Sequence, residues 1–195
     1  MINYMGMSDQ ETNKEILEVV DENDNVIGLE TRAKIHKEGL LHREIHIWFI
    51  TPSGEIIFQH RAKNKETYPD KLDATVGGHV EPNMSYEETA VKECKEETGM
   101  NINSKKLFFL AKMRKKSFDK VTGLINNTIR AQYAYLYDGL VSDLKVEDDN
   151  GEGFEAWKIS RLSHLSEIDK NRFISLILNK DMLNLFNKAK ELLAK

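Results

Sequence analysis

The spacing of apolar and polar residues divides the chain into short strands and a few helices. Residues 15–32 form two apolar runs around the turn-forming sequence DENDN, and residues 45–62 form two more around Pro52, Ser53 and Gly54. Both patterns predict β-hairpins. Residues 106–114 and 124–139 predict a third, longer hairpin joined by residues 115–123, and residues 154–160 predict a further strand.

Three segments have helical patterns. Residues 33–44 predict a short helix that ends near Gly39, and residues 161–195 predict two helices separated by a break at 179–181. The helix predicted at 86–98 has its own boundary signals, because Ser85 and Glu88 form a capping box and Gly99 suits a helix end. Strands, a helix, strands and then helices in this order predict an α+β fold with a mixed sheet.

The same patterns predict the domain organisation. Residues 1–14 are polar and without period, which predicts a flexible N-terminal arm, and residues 15–165 contain the elements of one folded domain. Residues 166–195 carry an apolar helical stripe and predict a C-terminal helical extension. This extension packs either on the domain or on a partner in a homodimer, and the sequence leaves both open.

Composition narrows the class of protein. The chain has 195 residues, and its 28 basic and 32 acidic residues give a formal net charge of -4. Nucleic acid is not expected as the main partner, because phosphate neutralisation needs a concentrated basic surface.

Cys94 is the only cysteine, which excludes an intramolecular disulfide and predicts a packed thiol in a reducing compartment. With no signal peptide and no apolar run of about 18 residues, we expect a cytoplasmic protein without a membrane segment.

The helix at 86–98 carries candidate chemistry. Glu93, Glu96 and Glu97 stand at i, i+3 and i+4 and therefore project from one face. One interpretation is a solvated surface helix with pairs such as Glu88 to Lys92. The other is a cation site, because three like charges on one face repel unless a cation offsets them. Oxygen ligands select Mg²⁺ or Mn²⁺.

The segment beginning at Gly78 resembles the Nudix box, G-x5-E-x7-R-E-U-x-E-E-x-G-U with U apolar. Seven of its nine positions agree, namely Gly78, Glu93, Cys94, Glu96, Glu97, Gly99 and Met100. Met84 occupies the first glutamate position and Lys92 the arginine position. In the family those two side chains commonly hold loop and helix together through a charged contact. The departure therefore puts catalytic efficiency in doubt more than metal binding.

Membership of the Nudix family implies a mixed sheet sandwiched between helices and hydrolysis of a diphosphate bond linked to another moiety. It implies that Glu93, Glu96 and Glu97 bind Mg²⁺ or Mn²⁺ and that Glu93 and Glu97 are catalytic. Substrate contacts are expected from the residues Arg61, Lys65, Gly78 and His79. A further carboxylate often completes such sites, and the acidic segment near 147–155 offers Glu147, Glu152 and Glu155, of which Glu152 or Glu155 is favoured.

Similarity outside the box points to the branch that includes isopentenyl-diphosphate isomerases. His42 and His79 fall where two metal-binding histidines of those isomerases fall, and His36 lies close to a third. The same histidines, and His46, also suit hydrogen-bonded structural roles.

Three further positions argue against isomerase activity. The catalytic cysteine of the isomerases corresponds to Gly77, and their two glutamates correspond to Asn126 and Thr128. Protonation of an alkene needs those acidic groups.

A second alternative to hydrolysis is a catalytically weakened Nudix domain that binds a nucleotide or a partner. The departures from the box at Met84 and Lys92 motivate this alternative. Substrate identity stays open, because variable loops decide it.

Overall fold

The computed structural model describes residues 14–65, 67–146 and 151–193. The predicted N-terminal arm, apart from residue 14, and Glu147 lie outside these residues. The described residues contain no helix that is long and apolar enough to cross a membrane.

Nine strands of the described residues form one sheet. They are β1 (Ile16–Val20), β2 (Val26–Thr31), β3 (His42–Ile50), β4 (Glu55–Arg61), β5 (Leu72–Asp73), β6 (Val76–His79), β7 (Phe108–Phe118), β8 (Ile125–Leu136) and β9 (Gly151–Lys158). β3 is central, because it pairs antiparallel with β1, β4 and β6 and parallel with β8. β9 extends the sheet beside β4, and β7 extends it beside β8. The sheet is therefore mixed, as predicted.

In the described residues four α-helices lie between and after these strands: α1 (Arg32–Glu38), α2 (Tyr86–Thr98), α3 (Glu167–Lys170) and α4 (Lys180–Leu193). Short 3-10 helices occur at Ser104–Lys106, Val141–Asp143, Ile159–His164 and Ser175–Leu178. Helix α2 has the predicted ends, because Ser85 and Glu88 form the capping box and Gly99 has a φ of 72°. Local sequence signals therefore determine where α2, the helix that carries Glu93, Glu96 and Glu97, begins and ends.

Helices cover both faces of the central strand. Alternate residues of a strand point to opposite faces, and Ile45 and Ile47 of β3 lie in one buried cluster with Cys94 of α2. Trp48 lies in the other cluster with Phe186 of α4, and their ring centroids are 4.7 Å apart. The α+β fold with a sheet between helices is therefore confirmed.

Three secondary-structure predictions were wrong. Gly78 and His79, at the start of the box segment that was predicted to be a loop before the helix at 86–98, belong to β6, because the backbone of residues 76–79 pairs with β3. Strand β7 continues to Phe118, so the connection to β8 is only the segment 119–124. The first C-terminal helix is broken into short pieces because residues 172–174 bond to the sheet: Leu72 N donates to Arg172 O at 2.7 Å, and Ile174 N donates to Leu72 O at 3.1 Å. Extended backbone at these residues cannot continue a helix.

Candidate active site

The glycine pair brings the backbone of β6 against two carboxylates of α2. A Cβ atom on Gly78 would lie 2.4 Å from the Cδ atom of Glu93, closer than any real side chain allows. The N–H of Gly77 donates to Oε2 of Glu97 at 3.1 Å. Gly78 therefore allows the close approach of backbone to the Glu93 carboxylate, whereas a Cβ atom on Gly77 would lie 3.2 Å from the ring of His46.

Glu93 is the most perturbed carboxylate of this group. Its side chain is 16% exposed, and burial raises its pKa to about 7, with the nearby charges of Glu96, Glu81 and Glu15 acting in the same direction and Lys92 acting against them. A carboxylate with a pKa near neutrality is suited to take up a proton in a reaction at that pH.

Lys92 lies among three carboxylates. Its Nζ atom is 2.7 Å from Glu96, 3.0 Å from Glu81 and 3.6 Å from Glu93. Burial alone would lower the pKa of Lys92, but these three carboxylates outweigh burial and raise it. Lys92 is therefore a fixed positive charge beside Glu93 and Glu96.

The predicted pair between Glu88 and Lys92 was wrong. The carboxylate of Glu88 accepts hydrogen bonds from the backbone N–H and the hydroxyl of Ser85, both at 2.8 Å. The capping box uses this side chain at the start of the helix, so Lys92 turns to acidic groups from the preceding loop and the next turn instead.

The described residues bring together one group of three metal-ligating side chains, which does not include the box glutamates. Among residues 14–65, 67–146 and 151–193, one group of three metal-ligating side chains has all ligand atoms within 4.8 Å of one another, and its members are His36, His42 and His79. Glu96 bonds to Lys92, and Glu97 accepts a hydrogen bond from the N–H of Gly77.

The three histidines come from α1, β3 and β6. Their ring centroids are 5.0 to 5.2 Å apart. Burial lowers the pKa of His36 to about 4 and lowers the pKa values of His42 and His79 as well, so the rings are neutral at pH 7. Within the described part of the chain, Nε2 of His42 and Nε2 of His79 are buried and make no hydrogen bond, and Nε2 of His79 lies 3.5 Å from Oε1 of Glu44. Neutral rings with nitrogens that make no hydrogen bond are suited to bind a metal ion.

A buried ion pair lies beside this group. Oε2 of Glu44 accepts hydrogen bonds from Arg130 at 2.9 and 2.5 Å, and its other oxygen accepts one from Asn126 at 3.0 Å. Burial acts to raise the pKa of Glu44, but the charge of the Arg130 guanidinium outweighs burial and holds this pKa well below its usual value. Glu44 is therefore an ionised carboxylate next to the histidines.

The positions compared with the isomerase acids lie beside the histidines. Thr128 is the register partner of His42 in the parallel β3–β8 pair, and Asn126 bonds to Glu44. Gly77 is the register partner of His46. None of Gly77, Asn126 and Thr128 carries an acidic group or a thiol.

The predicted phosphate-binding residues lie at and beyond the end of β4. Arg61 donates to the backbone carbonyls of Thr67 at 2.8 Å and Tyr68 at 3.2 Å, and to Asp73 Oδ2 at 3.2 Å. Lys65 is half-buried, and its backbone N–H donates to Ala62 O at 3.3 Å. Arg61 thus holds the backbone at Thr67 and Tyr68, and the phosphate contacts of Arg61 and Lys65 stay a prediction.

The candidate extra carboxylates differ in their surroundings. Glu155 accepts hydrogen bonds from Arg172 and, at 3.3 Å, from Trp157 Nε1, whereas Glu152 is exposed. The structure therefore commits Glu155 to packing against the C-terminal segment, and the role of Glu152 stays a prediction.

Two acidic residues near the box glutamates were missed by the sequence reasoning. Glu15 pairs with Arg32 at 3.3 Å, and burial raises its pKa. Glu15 and Glu81 both lie close enough to Glu93 to raise its pKa. Glu15 precedes the first strand and has no motif around it, so only the tertiary structure brings it here.

Comparison with known proteins identifies this arrangement. The chain matches the NUDIX domain profile over residues 40–177, which include the glycine pair, α2 and most of the sheet. The chain belongs to the Nudix family. An uncharacterized Nudix hydrolase of Clostridium acetobutylicum is 28% identical over 184 residues, covering 86% of this chain and 89% of that protein. The family supports the enzyme class predicted from the sequence, a Nudix pyrophosphohydrolase.

Other relatives match a shorter part. An uncharacterized Nudix hydrolase of Streptomyces coelicolor is 39% identical over 85 residues, 44% of this chain and 47% of that protein, so the match spans about half of that relative. Isopentenyl-diphosphate Delta-isomerase 2 of Photorhabdus laumondii is 31% identical over 125 residues, 64% of this chain and 66% of that protein. The resemblance to the isomerase-containing branch is therefore confirmed.

A solved structure shows the fold. The crystal structure of DR0079 from Deinococcus radiodurans superimposes with a TM-score of 0.66 at 22% identity, covering 90% of this chain and 99% of that chain.

Proposed function

We propose that this Nudix protein hydrolyses a diphosphate bond that links a phosphate to another moiety, in a nucleoside diphosphate derivative or a related organic diphosphate, with Mg²⁺ or Mn²⁺ as cofactor. The observation that carries this proposal is Glu93. Its carboxylate has a pKa of about 7 and lies against Gly78, on the helix face that also carries Glu96 and Glu97.

The residues present fit a hard divalent cation. Glu93, Glu96 and Glu97 offer oxygen ligands of the type that Mg²⁺ and Mn²⁺ prefer. At Gly78 the close approach of β6 to Glu93 means that an added Cβ atom would displace the Glu93 carboxylate. A divalent ion held by these three carboxylates supplies neutralisation of phosphate charge and a more acidic bound water.

The protein side chains then have separate roles. Glu93 accepts the proton from the attacking water, and Glu97, whose Oε2 bonds to Gly77 N, is held against β6. Arg61 and Lys65 steady the phosphate charge from the end of β4, since a guanidinium and an ammonium suit adjacent phosphates. His79 and Gly78 border the substrate, and Glu152 is the candidate for a further carboxylate.

The test is release of phosphate or pyrophosphate from a panel of nucleoside di- and triphosphates, nucleotide sugars, dinucleotides and thiamine diphosphate, with and without Mg²⁺ or Mn²⁺. Metal-dependent release supports the proposal and names the substrate class. Glu97→Gln is expected to lower kcat by about a hundredfold or more while the far-ultraviolet circular dichroism stays unchanged. Substantial residual activity would remove Glu97 from the mechanism, and ligand binding without turnover would favour the weakened binding domain.

A second candidate function is supported by the three histidines. We propose that His36, His42 and His79 bind a divalent transition metal, as the resemblance to the isomerase branch implies, because their ligand atoms lie within 4.8 Å of one another and two of their buried nitrogens make no hydrogen bond in the described residues. Three protein ligands with an open position are typical of metal sites that act on substrate.

Cobalt binding tests the histidine site. Visible absorption on titration with Co²⁺ should report nitrogen coordination in the wild type and weaken strongly in His42→Gln, with His164→Gln, a histidine on an exposed position, as the control. An equal spectrum in both variants would exclude the site. Isomerase activity is not proposed, because Gly77, Asn126 and Thr128 supply no acid; formation of an isomer from isopentenyl diphosphate would contradict this. The cytoplasmic location and the homodimer stay predictions.

A further inference from the structure

The loop before α2 makes a charged contact with the helix from an unexpected position. Position 84, which carries a glutamate in the Nudix box, is Met84 here, and its side chain packs on the cluster of buried residues beneath α2. Glu81, three residues earlier, lies 3.0 Å from Nζ of Lys92. An acidic residue at a variable position of the box thus contacts the lysine that stands in the arginine position of the box.

The turn that presents Glu81 is anchored at both ends. Met84 N donates to Glu81 O at 3.1 Å, and Asn83 has a φ of 66°, so residues 81–84 form a β-turn with Pro82 at its second position. Asn83 N donates to Glu18 Oε1 of β1 at 3.0 Å, and Glu18 in turn pairs with Arg43 at 2.9 Å. The sheet therefore fixes the backbone from which Glu81 extends.

Lys92 touches the box glutamates as well as Glu81. Its ammonium lies 2.7 Å from Glu96 and 3.6 Å from Glu93, and its side chain is 34% exposed. An ammonium held only by Glu93 and Glu96 would move onto the carboxylates that a metal ion needs. Glu81 supplies a third anion on the loop side and draws the ammonium toward the loop.

We infer that Glu81 is a positioning residue that acts through Lys92 to orient Glu93 and Glu96, and that it replaces the acidic residue missing at position 84. This inference rests on the proposed hydrolase function. It assigns the loop–helix contact to the pair Glu81 and Lys92. It also implies that adding the usual box residues, Met84→Glu with Lys92→Arg, gives no large gain in kcat.

A double-mutant cycle tests the inference. Glu81→Gln, Lys92→Met and the double variant are compared with the wild type for kcat, for the substrate KM and for the concentration of Mn²⁺ that gives half-maximal rate. Glu81→Gln is expected to lower kcat about fivefold and to raise the half-saturating Mn²⁺ concentration, with substrate KM unchanged. In the Lys92→Met background the same change is expected to alter kcat less than about twofold.

Two variants control the cycle. Lys92→Arg retains the ion pair and should stay close to the wild type, and Glu87→Gln removes an exposed carboxylate of the same helix and should leave kcat and the Mn²⁺ requirement unchanged. Additive effects of Glu81→Gln and Lys92→Met, or a Glu81→Gln enzyme equal to the wild type, would overturn the inference.

Two different measurements distinguish failure of the hydrolase proposal from failure of the inference about Glu81. If the wild type shows no metal-dependent turnover on the whole substrate panel, the hydrolase proposal fails by itself. The same cycle is then measured on Mn²⁺ affinity by electron paramagnetic resonance, where a non-additive loss supports the role of Glu81 and additivity overturns it.

Discussion

Substitution of Glu93 by glutamine should make the protein more stable at alkaline pH while it destroys activity. Burial raises the pKa of Glu93 to about 7 from an ordinary value of 4.5. Between these two pH values the folded state binds more protons at this site than the unfolded state does. Stability therefore falls as pH rises through this window, and the full destabilisation is present above pH 7.

The magnitude follows from the two pKa values. The pKa of Glu93 is 4.5 as an ordinary value and about 7 in the folded protein. Since one pKa unit corresponds to about 1.4 kcal/mol, this difference corresponds to about 3 kcal/mol of unfolding free energy. Glutamine keeps the shape and stays neutral, so Glu93→Gln should exceed the wild type by up to about 3 kcal/mol at pH 8 and match it near pH 4.5.

The assay is urea denaturation in the presence of a chelator, at pH 4.5 and pH 8, for the wild type and Glu93→Gln. Glu87→Gln, at an exposed position on the same helix, is the matched control for the removal of one carboxylate. Added Mg²⁺ should stabilise the wild type at pH 8 more than the variant, because ligand binding favours the folded state. A stability difference that is the same at both pH values would refute the assignment of a raised pKa to Glu93.

Two further substitutions follow from packing. Gly78→Ala would place a Cβ atom 2.4 Å from Cδ of Glu93, whereas a Cβ atom on Gly28 meets nothing within 4 Å; kcat should fall at least about tenfold in the first variant and stay unchanged in Gly28→Ala. Equal activities would show that Glu93 moves aside freely. Phe186→Ala removes a fully buried ring and should cost about 3 to 5 kcal/mol in urea denaturation. Phe118→Ala, at a side chain that is 60% exposed, should cost little, and a similar loss in both would contradict the assigned core.

Much of the fold was determined by local sequence. The hairpin around DENDN, the short helix ending at Gly39 and the strands on either side of Pro52 occur as predicted, because turn residues, caps and apolar alternation act over a few positions. Helix α2 begins after Ser85 and ends before Gly99 for the same reason. The errors at β6 and at residues 172–174 arise where backbone hydrogen bonds to a distant strand override the local pattern.

The candidate site was predictable in its residue types but not in its contacts. The spacing of Glu93, Glu96 and Glu97 and the resemblance to the Nudix box were enough to place three carboxylates on one helix face. The tertiary structure decided that Lys92 pairs with Glu81 rather than Glu88.

The tertiary structure also decided that α1, β3 and β6 bring three histidines together. Helix geometry depends on neighbours three and four residues away and is encoded locally. Burial and charge depend on which distant segments the sheet brings into contact, and these set the pKa of Glu93.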